Sequence, residues 1–577
     1  MKTFAKTLLL ALAFCWVVVI SSRGQQMPEH QMLRQLQTKP TRQVYRPGQP
    51  VQNILPAVDT AERHAPRSRT ADLPDSVGPL LTDQWDQEGP LRGMTPVVEG
   101  EHCVVGCVAL AMAQLMHRWQ HPEWGTGQFS YEDSLGCGQV LTADFSRHHY
   151  EWALMPDKYI EGEYTREQAD AGAMLCSDCG ISVGMRYGTT SGAQPVQQAI
   201  ALPTYFGYDE GTQLYFRDFY TKDEITLMLK RELAAGRPVL VSGYNVGGGH
   251  AFVIDGYNRD DWFHINVGNP DGEFDGDGWT PLDCMAPNQP AWYDTDSPES
   301  GYNLLQIFVL GAIPNTHPEA TRTETHVFAM QRIEAAERCT GRSDDVRLCV
   351  RDLSNVGRSL HCDSVSIMLC RDGERLCPLY TYDRTFLLEE VDDTTYTDTL
   401  SLRLPDGLSD GLYTVQPMFR DGDGWQPVRT STGTPNYLLL RAEADSVVLS
   451  VDSARMGYLT LEDYEVPDLI INGSCPELSL TLQGHNAELA GRIYLLMEPT
   501  DEGGKAFYLA RQGVSIAPGE RSTRRFHKTA VHAPRTGTYR LHFVYEANLF
   551  AEELTELTEE PVEVTVVDVS SIQIAEK

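Results

Sequence analysis

The chain has 577 residues, a hydrophobic fraction of 41% and a formal net charge of −33. That length suits three or four domains with ordinary buried cores, and it excludes disorder over most of the chain. An acidic balance of this size excludes a protein built around a nucleic-acid backbone, which needs basic patches.

At the N-terminus, Lys2 and Lys6 precede an apolar run from Leu8 to Ile20 and then Ser21-Ser22-Arg23-Gly24. This order is that of a secretory signal over 1–24, and the run is too short to span a membrane. The expectation is an exported protein, secreted or held at the cell surface, with no membrane span. Bulky Phe14 before Cys15 argues against a lipid anchor. Residues 25–74 are rich in Pro and Gln and lack periodicity. From Gln25 to Thr70 there are seven Lys/Arg against three Asp/Glu, a basic island in an acidic protein. It reads as a short propeptide or a linker, with Arg63, Arg67 and Arg69 as processing sites.

Residues 75–315 mix helices and strands. Cys107 to Trp119 reads as a buried helix. Thr165-Arg166-Glu167-Gln168 and Thr221-Lys222-Asp223-Glu224 are capping boxes, opening helices that stop near Gly180 and Gly236. Strands Pro238–Val241, Ala251–Asp255 and Trp262–Ile265 follow, an α+β order. Beyond 320 the chain turns to short alternating runs separated by turn residues. Val346–Val350, Ser364–Leu369, Thr399–Leu404 and Tyr413–Phe419 form one set. Asp468–Ile471, Glu477–Leu482, Arg492–Leu496 and Tyr539–Tyr545 form another. Gly411-Leu412-Tyr413 and Gly537-Thr538-Tyr539 each open a late strand of their set. Two β-sandwich (Ig-like) modules, 320–455 and 456–577, are expected, serving as spacers or for surface attachment.

The chemistry-bearing residues come in the order cysteine, histidine, asparagine. Cys107 follows Gly106 at a helix start, where the positive end of the helix favours a thiolate. His250 follows three glycines at a strand start and supplies an imidazole; Asn266 follows in Phe263-His264-Ile265-Asn266 and can orient it. Nucleophile, base and base-orienter are the parts of a thiol protease. The bland alternative for each alone is a buried thiol or a hydrogen-bonded core histidine, and the combination in an exported protein favours catalysis. Cys103 lies four residues upstream of Cys107.

Thirteen cysteines occur, twelve after signal removal. Cys370 and Cys377 flank a hairpin turn and suggest a cross-strand disulfide. Cys176-Ser177-Asp178-Cys179 is a lone CxxC, read as structural. Asp271, Asp275 and Asp277 in a Gly-rich loop have oxygen-ligand character but do not fit an EF-hand, so a solvated acidic turn is the preferred reading. No cofactor or metal is expected.

Five blocks carry a family resemblance. They are Val77-Gly78-Pro79-Leu80-Leu81, Trp85-Asp86-Gln87, Gly106-Cys107 through Gln114, Gly180-Ile181-Ser182-Val183 with Met185 and Tyr187-Gly188, and Gly249-His250 through Tyr257. Together they resemble the streptopain-family cysteine peptidases over 75–315. The resemblance implies a papain-like fold and a secreted endopeptidase made as a zymogen, acting on protein or peptide substrates. It implies Cys107 as nucleophile, His250 as general base and acid, and Gln87 as side-chain donor to the oxyanion. The family's Asn-Trp-Gly-Trp is Asn266-Val267-Gly268-Asn269 here, which predicts a less shielded Asn–His contact and lower activity. The leader is also shorter than the family's folded propeptide. Two other readings stay open: a catalytically silent scaffold, and amide transfer or cell-wall amidase chemistry with the same parts.

Overall fold

The computed structural model describes residues 73–568 apart from 246–247, 271–275, 287–300, 322–326, 359–360, 363, 383–385, 388–395, 422–423, 502–504, 527–530, 532, 534 and 548–553. The expected signal and nearly all of the leader lie outside the described residues.

The helix that opens on Cys107, α1, spans Cys107–Trp119, as its apolar pattern predicts; ten of its residues are buried. Its neighbours are α2 (Arg166–Ser182), α3 (Val196–Phe206) and α4 (Lys222–Ala234). Both capping boxes form: Thr165 and Gln168 close the start of α2, and Thr221 and Glu224 that of α4. Helix α3, which contains Pro203, was not anticipated from the sequence. Both thiols of the Cys176/Cys179 pair are buried in α2, and Cys179 Sγ lies 3.6 Å from Met116 Sδ on α1.

Six antiparallel strands make the central sheet: β1 (Gln213–Phe216), β2 (Val239–Tyr244), β3 (Gly249–Tyr257), β4 (Trp262–Asn266), β5 (Gly278–Pro281) and β6 (Leu304–Leu310). Their spatial order is β1-β6-β2-β3-β4-β5. Successive side chains of a strand alternate between faces, and both faces here are covered. Leu240, Ala251, Val253, Ile307 and Val309 join the core that holds α1. Val239, Val241, Phe252, Ile254 and Phe308 join a second core with Ile225, Leu229 and Leu233 of α4. This burial on both sides is why β2 and β3 read as continuous apolar runs rather than alternating ones.

From residue 328 on, every described element is a strand. Two sheets enclose one hydrophobic core between Phe328 and Leu449, and two more enclose another between Ile470 and Val566. The strands expected from alternation are present, most of them longer or shifted by one to five residues, and the one expected at Asp468–Ile471 is a residue shorter. Strand Ser446–Val451 belongs to the first set and Tyr458–Glu465 pairs with Leu478–His485 in the second, so the change falls between 451 and 458. Tyr413 donates to the Ser409 carbonyl (3.0 Å) and Tyr539 to the Arg535 carbonyl (2.7 Å), the same four-residue reach-back in each set. The proposed Cys370–Cys377 bridge is not made, and both thiols are free. A register shift between Leu369 and Cys370 sets Cys370 against Arg375 and Leu369 against Cys377.

The β regions are tied to the α+β region by arginine side chains. Arg492 is 2% exposed, with Nη1 3.0 Å from Asp218 and Nε 2.7 Å from Glu546. Arg429 pairs with Glu224 at 2.9 Å and covers the Tyr220 ring. Arg511 donates to the Asn245 carbonyl at 3.3 Å, in the loop that leads to His250.

Candidate active site

Gly106 caps α1 with φ +89°, a conformation that L side chains avoid, and a Cβ there would meet Met185 at 2.7 Å. This turn delivers Cys107 as the first residue of the helix, where first-turn N–H groups lack intrahelical acceptors. Helix α1 packs against β3, which starts at Gly249-His250. Burial pushes the Cys107 thiol up, but the hydrogen bond and charge of His250 outweigh it, with backbone N–H groups of Ala251 and Val108 assisting. The net shift is downward, toward the thiolate. Of the two cysteines compared, Cys103 is pushed up, mainly by burial.

His250 is held on three sides. Its Nε2 lies 2.8 Å from the Val267 carbonyl, so that nitrogen is the N–H donor there, and the imidazole is also hydrogen-bonded to the Cys107 thiol. Its ring packs on Tyr302 (centroids 5.2 Å apart) and on Phe252 (5.9 Å).

The side chain of Asn266 does not make the orienting contact expected of it. Its Oδ1 accepts from Gln114 Nε2 (2.9 Å) and Gly268 N–H (3.1 Å), and its Nδ2 donates to the Asp83 carbonyl (3.0 Å). The register explains this. Asn266 stands opposite Val253, whose side chain faces α1, while His250 lies three residues away on β3 and so on the other parity. The backbone of the next residue does the work. Val267 is 4% exposed, so the contact expected to suffer from the missing indoles is a buried backbone carbonyl instead. Asn269, at the other replaced position, is exposed.

Gln87 is half-buried, and its carbonyl accepts from Val105 N–H at 3.0 Å, two residues before Cys107. Trp85 anchors this segment: it is 1% exposed, its Nε1 donates to the Pro156 carbonyl, and its ring lies 4.6 Å from that of His117 on α1. Gly268, φ +70°, turns the chain so closely over α1 that a Cβ would fall 2.5 Å from Leu110 Cδ2.

Three contributors escaped the sequence reading: the Val267 carbonyl, Gln114 and Tyr302. A backbone acceptor carries no residue signature. Gln114 did carry one, as a polar residue in the interior of an apolar helix, and it is 1% exposed. Asp277 accepts the Val267 N–H at 2.8 Å; Asp271 and Asp275 lie outside the described residues. Among the described residues, no group of three or more His, Cys, Asp or Glu side chains has a metal-holding arrangement. No described helix is long and apolar enough to cross a membrane.

Comparison with known proteins agrees with the resemblance read from the residues. Residues 85–276 match the model of the Peptidase C10 family. Thiol protease/hemagglutinin PrtT of Porphyromonas gingivalis is 25% identical over 529 residues, 88% of this chain and 57% of that protein. Streptopain of Streptococcus pyogenes is 31% identical over 267 residues, 42% of this chain and 65% of that protein. The structure of active wild-type interpain A cysteine protease of Prevotella intermedia is 31% identical with a TM-score of 0.38, covering 42% of this chain and 98% of that one. The chain thus spans 57–65% of the length of these two curated relatives.

Proposed function

We propose, from a chain whose residues 85–276 form a Peptidase C10 segment, that this protein is an exported thiol endopeptidase made as a proenzyme. The observation that carries the reading is a helix-borne thiol drawn toward its anion by a strand-borne imidazole. The Cys107 thiolate attacks the substrate carbonyl, and the oxyanion that forms is stabilised by the Cys107 N–H and the Gln87 side chain. His250, held by Val267, gives its proton to the leaving amine, and the acyl-enzyme that remains is hydrolysed by water that His250 deprotonates. No step calls for a cofactor.

The domain reading is a papain-like domain over 75–315 and two Ig-like sandwiches over 320–455 and 456–577. Its support is the separate hydrophobic core of each β region and the tyrosine reach-back in both, a feature of Ig-type sandwiches. Export rests on the signal-like residues 1–24, and the zymogen on the basic leader. Surface attachment through the β modules is in keeping with the relative named both thiol protease and hemagglutinin, whose match spans them.

The test is cleavage of denatured casein by the reduced full chain beside Cys107→Ala and His250→Ala, before and after nicking near Arg69. Cleavage by the wild type alone supports the assignment. Full activity in Cys107→Ala removes Cys107 as nucleophile, and a wild type inert even after nicking points to a binding scaffold.

A further inference from the structure

Two hydrogen bonds in series run from the histidine into the acidic loop. His250 Nε2 donates to the Val267 carbonyl, and Val267 N–H donates to Asp277 Oδ1, each at 2.8 Å. Val267 lies just past the end of β4, where ladder pairing with β5 stops at Ile265 and Gly278. Its carbonyl must turn back toward β3, and the left-handed Gly268 permits that turn. The sheet does not supply an acceptor for the Val267 N–H; the Asp277 carboxylate does. An N–H in a residue this buried is costly to leave unpaired.

We propose that Asp277 is a positioning residue: its carboxylate anchors Val267 and thereby aims the His250 imidazole at Cys107. This rests on the peptidase reading above. The carboxyl is surrounded by groups from each neighbouring element. Asp255 of β3 and Asp83 of the N-terminal segment oppose its ionisation, and His264 of β4 favours it. His264 is itself bonded to Asp255 at 2.6 Å, and His117 of α1 stands 3.7 Å from Asp83. Burial is the largest influence, and the outcome is a carboxyl pushed up to about 6. Ionised, Asp277 makes a charge-assisted bond to Val267; protonated, it makes a weaker one. Tightening of the His250 anchor therefore accompanies the rise of pH through this range.

The experiment compares the full-length wild type with Asp277→Asn and Asp277→Ala. It reads kcat and KM on fluorophore-labelled casein, and the rate of Cys107 alkylation by iodoacetamide, from pH 4.5 to 8. Asp277→Ala is expected to lower kcat about 100-fold with KM within about threefold, the signature of a displaced catalytic group. Asp277→Asn keeps an acceptor in place and is expected to retain kcat within about tenfold, while its acid limb loses the ionisation near pH 6. A purely structural role would not move that limb. Wild-type kcat and an unchanged acid limb in both variants overturn the proposal. Should Asp277→Ala fail to fold, the Asp277→Asn profile decides alone. A wild type that stays inert even after nicking near Arg69 refutes the peptidase reading instead, and the alkylation profile of Cys107 then decides the role of Asp277.

Discussion

Arg492→Ala tests how the last β region is fastened to the α+β region. The guanidinium is buried between Asp218, of the α+β region, and Glu546, and these two ion pairs draw its pKa well above the ordinary value against the cost of burial. Removing one member of a buried ion network leaves its partners uncompensated, at a cost of about 3–5 kcal/mol. For a unit of roughly 100 residues, each kcal/mol moves Tm by about 4–8 °C, so a fall of at least 10 °C in that unit's transition is expected. Differential scanning calorimetry of the full chain at pH 7 is the assay. Adding Asp218→Asn and Glu546→Gln is expected to restore much of the loss. A shift of less than about 2 °C at pH 7 would refute the reasoning.

Two further predictions concern the catalytic region. Gln87→Ala is expected to lower kcat on casein by about 10²–10³ while leaving Tm unchanged, and a loss of less than about threefold removes it from the oxyanion site. His148 Nδ1 lies 2.7 Å from Asp178 Oδ2, and that hydrogen bond raises the histidine against the effect of burial. The bond therefore stabilises the fold below the ordinary histidine range and ceases to do so as pH rises through the folded value. Melting curves of His148→Ala should differ from wild type at pH 5 and converge by pH 8; an equal difference at both ends counts against the pairing.

The sequence alone was enough to locate α1, both capping boxes, the strands around His250 and the strand sets of the β regions. These depend on local rules: a 3.6-residue apolar period, a Thr with Glu or Gln three residues on, and period-2 alternation closed by turns. The cysteine and histidine were legible for the same reason, since each sits at a marked element start, Gly106 for one and the glycine run for the other. The third member was not. Asn266 is the residue that a motif points to, yet β-sheet parity turns its amide toward Gln114, and the neighbouring carbonyl holds the imidazole. Likewise Asp277 reads as one acid among several in a loop, and only the β4–β5 pairing brings it to the Val267 N–H. The β modules read as spacers; their Arg429 and Arg492 meet Glu224 and Asp218 of the α+β region, more than 200 residues away in the chain. Side-chain chemistry and local period are written in the chain itself. Backbone acceptors, strand parity and long-range charge pairing exist only once distant segments have packed, and they decide where the imidazole points.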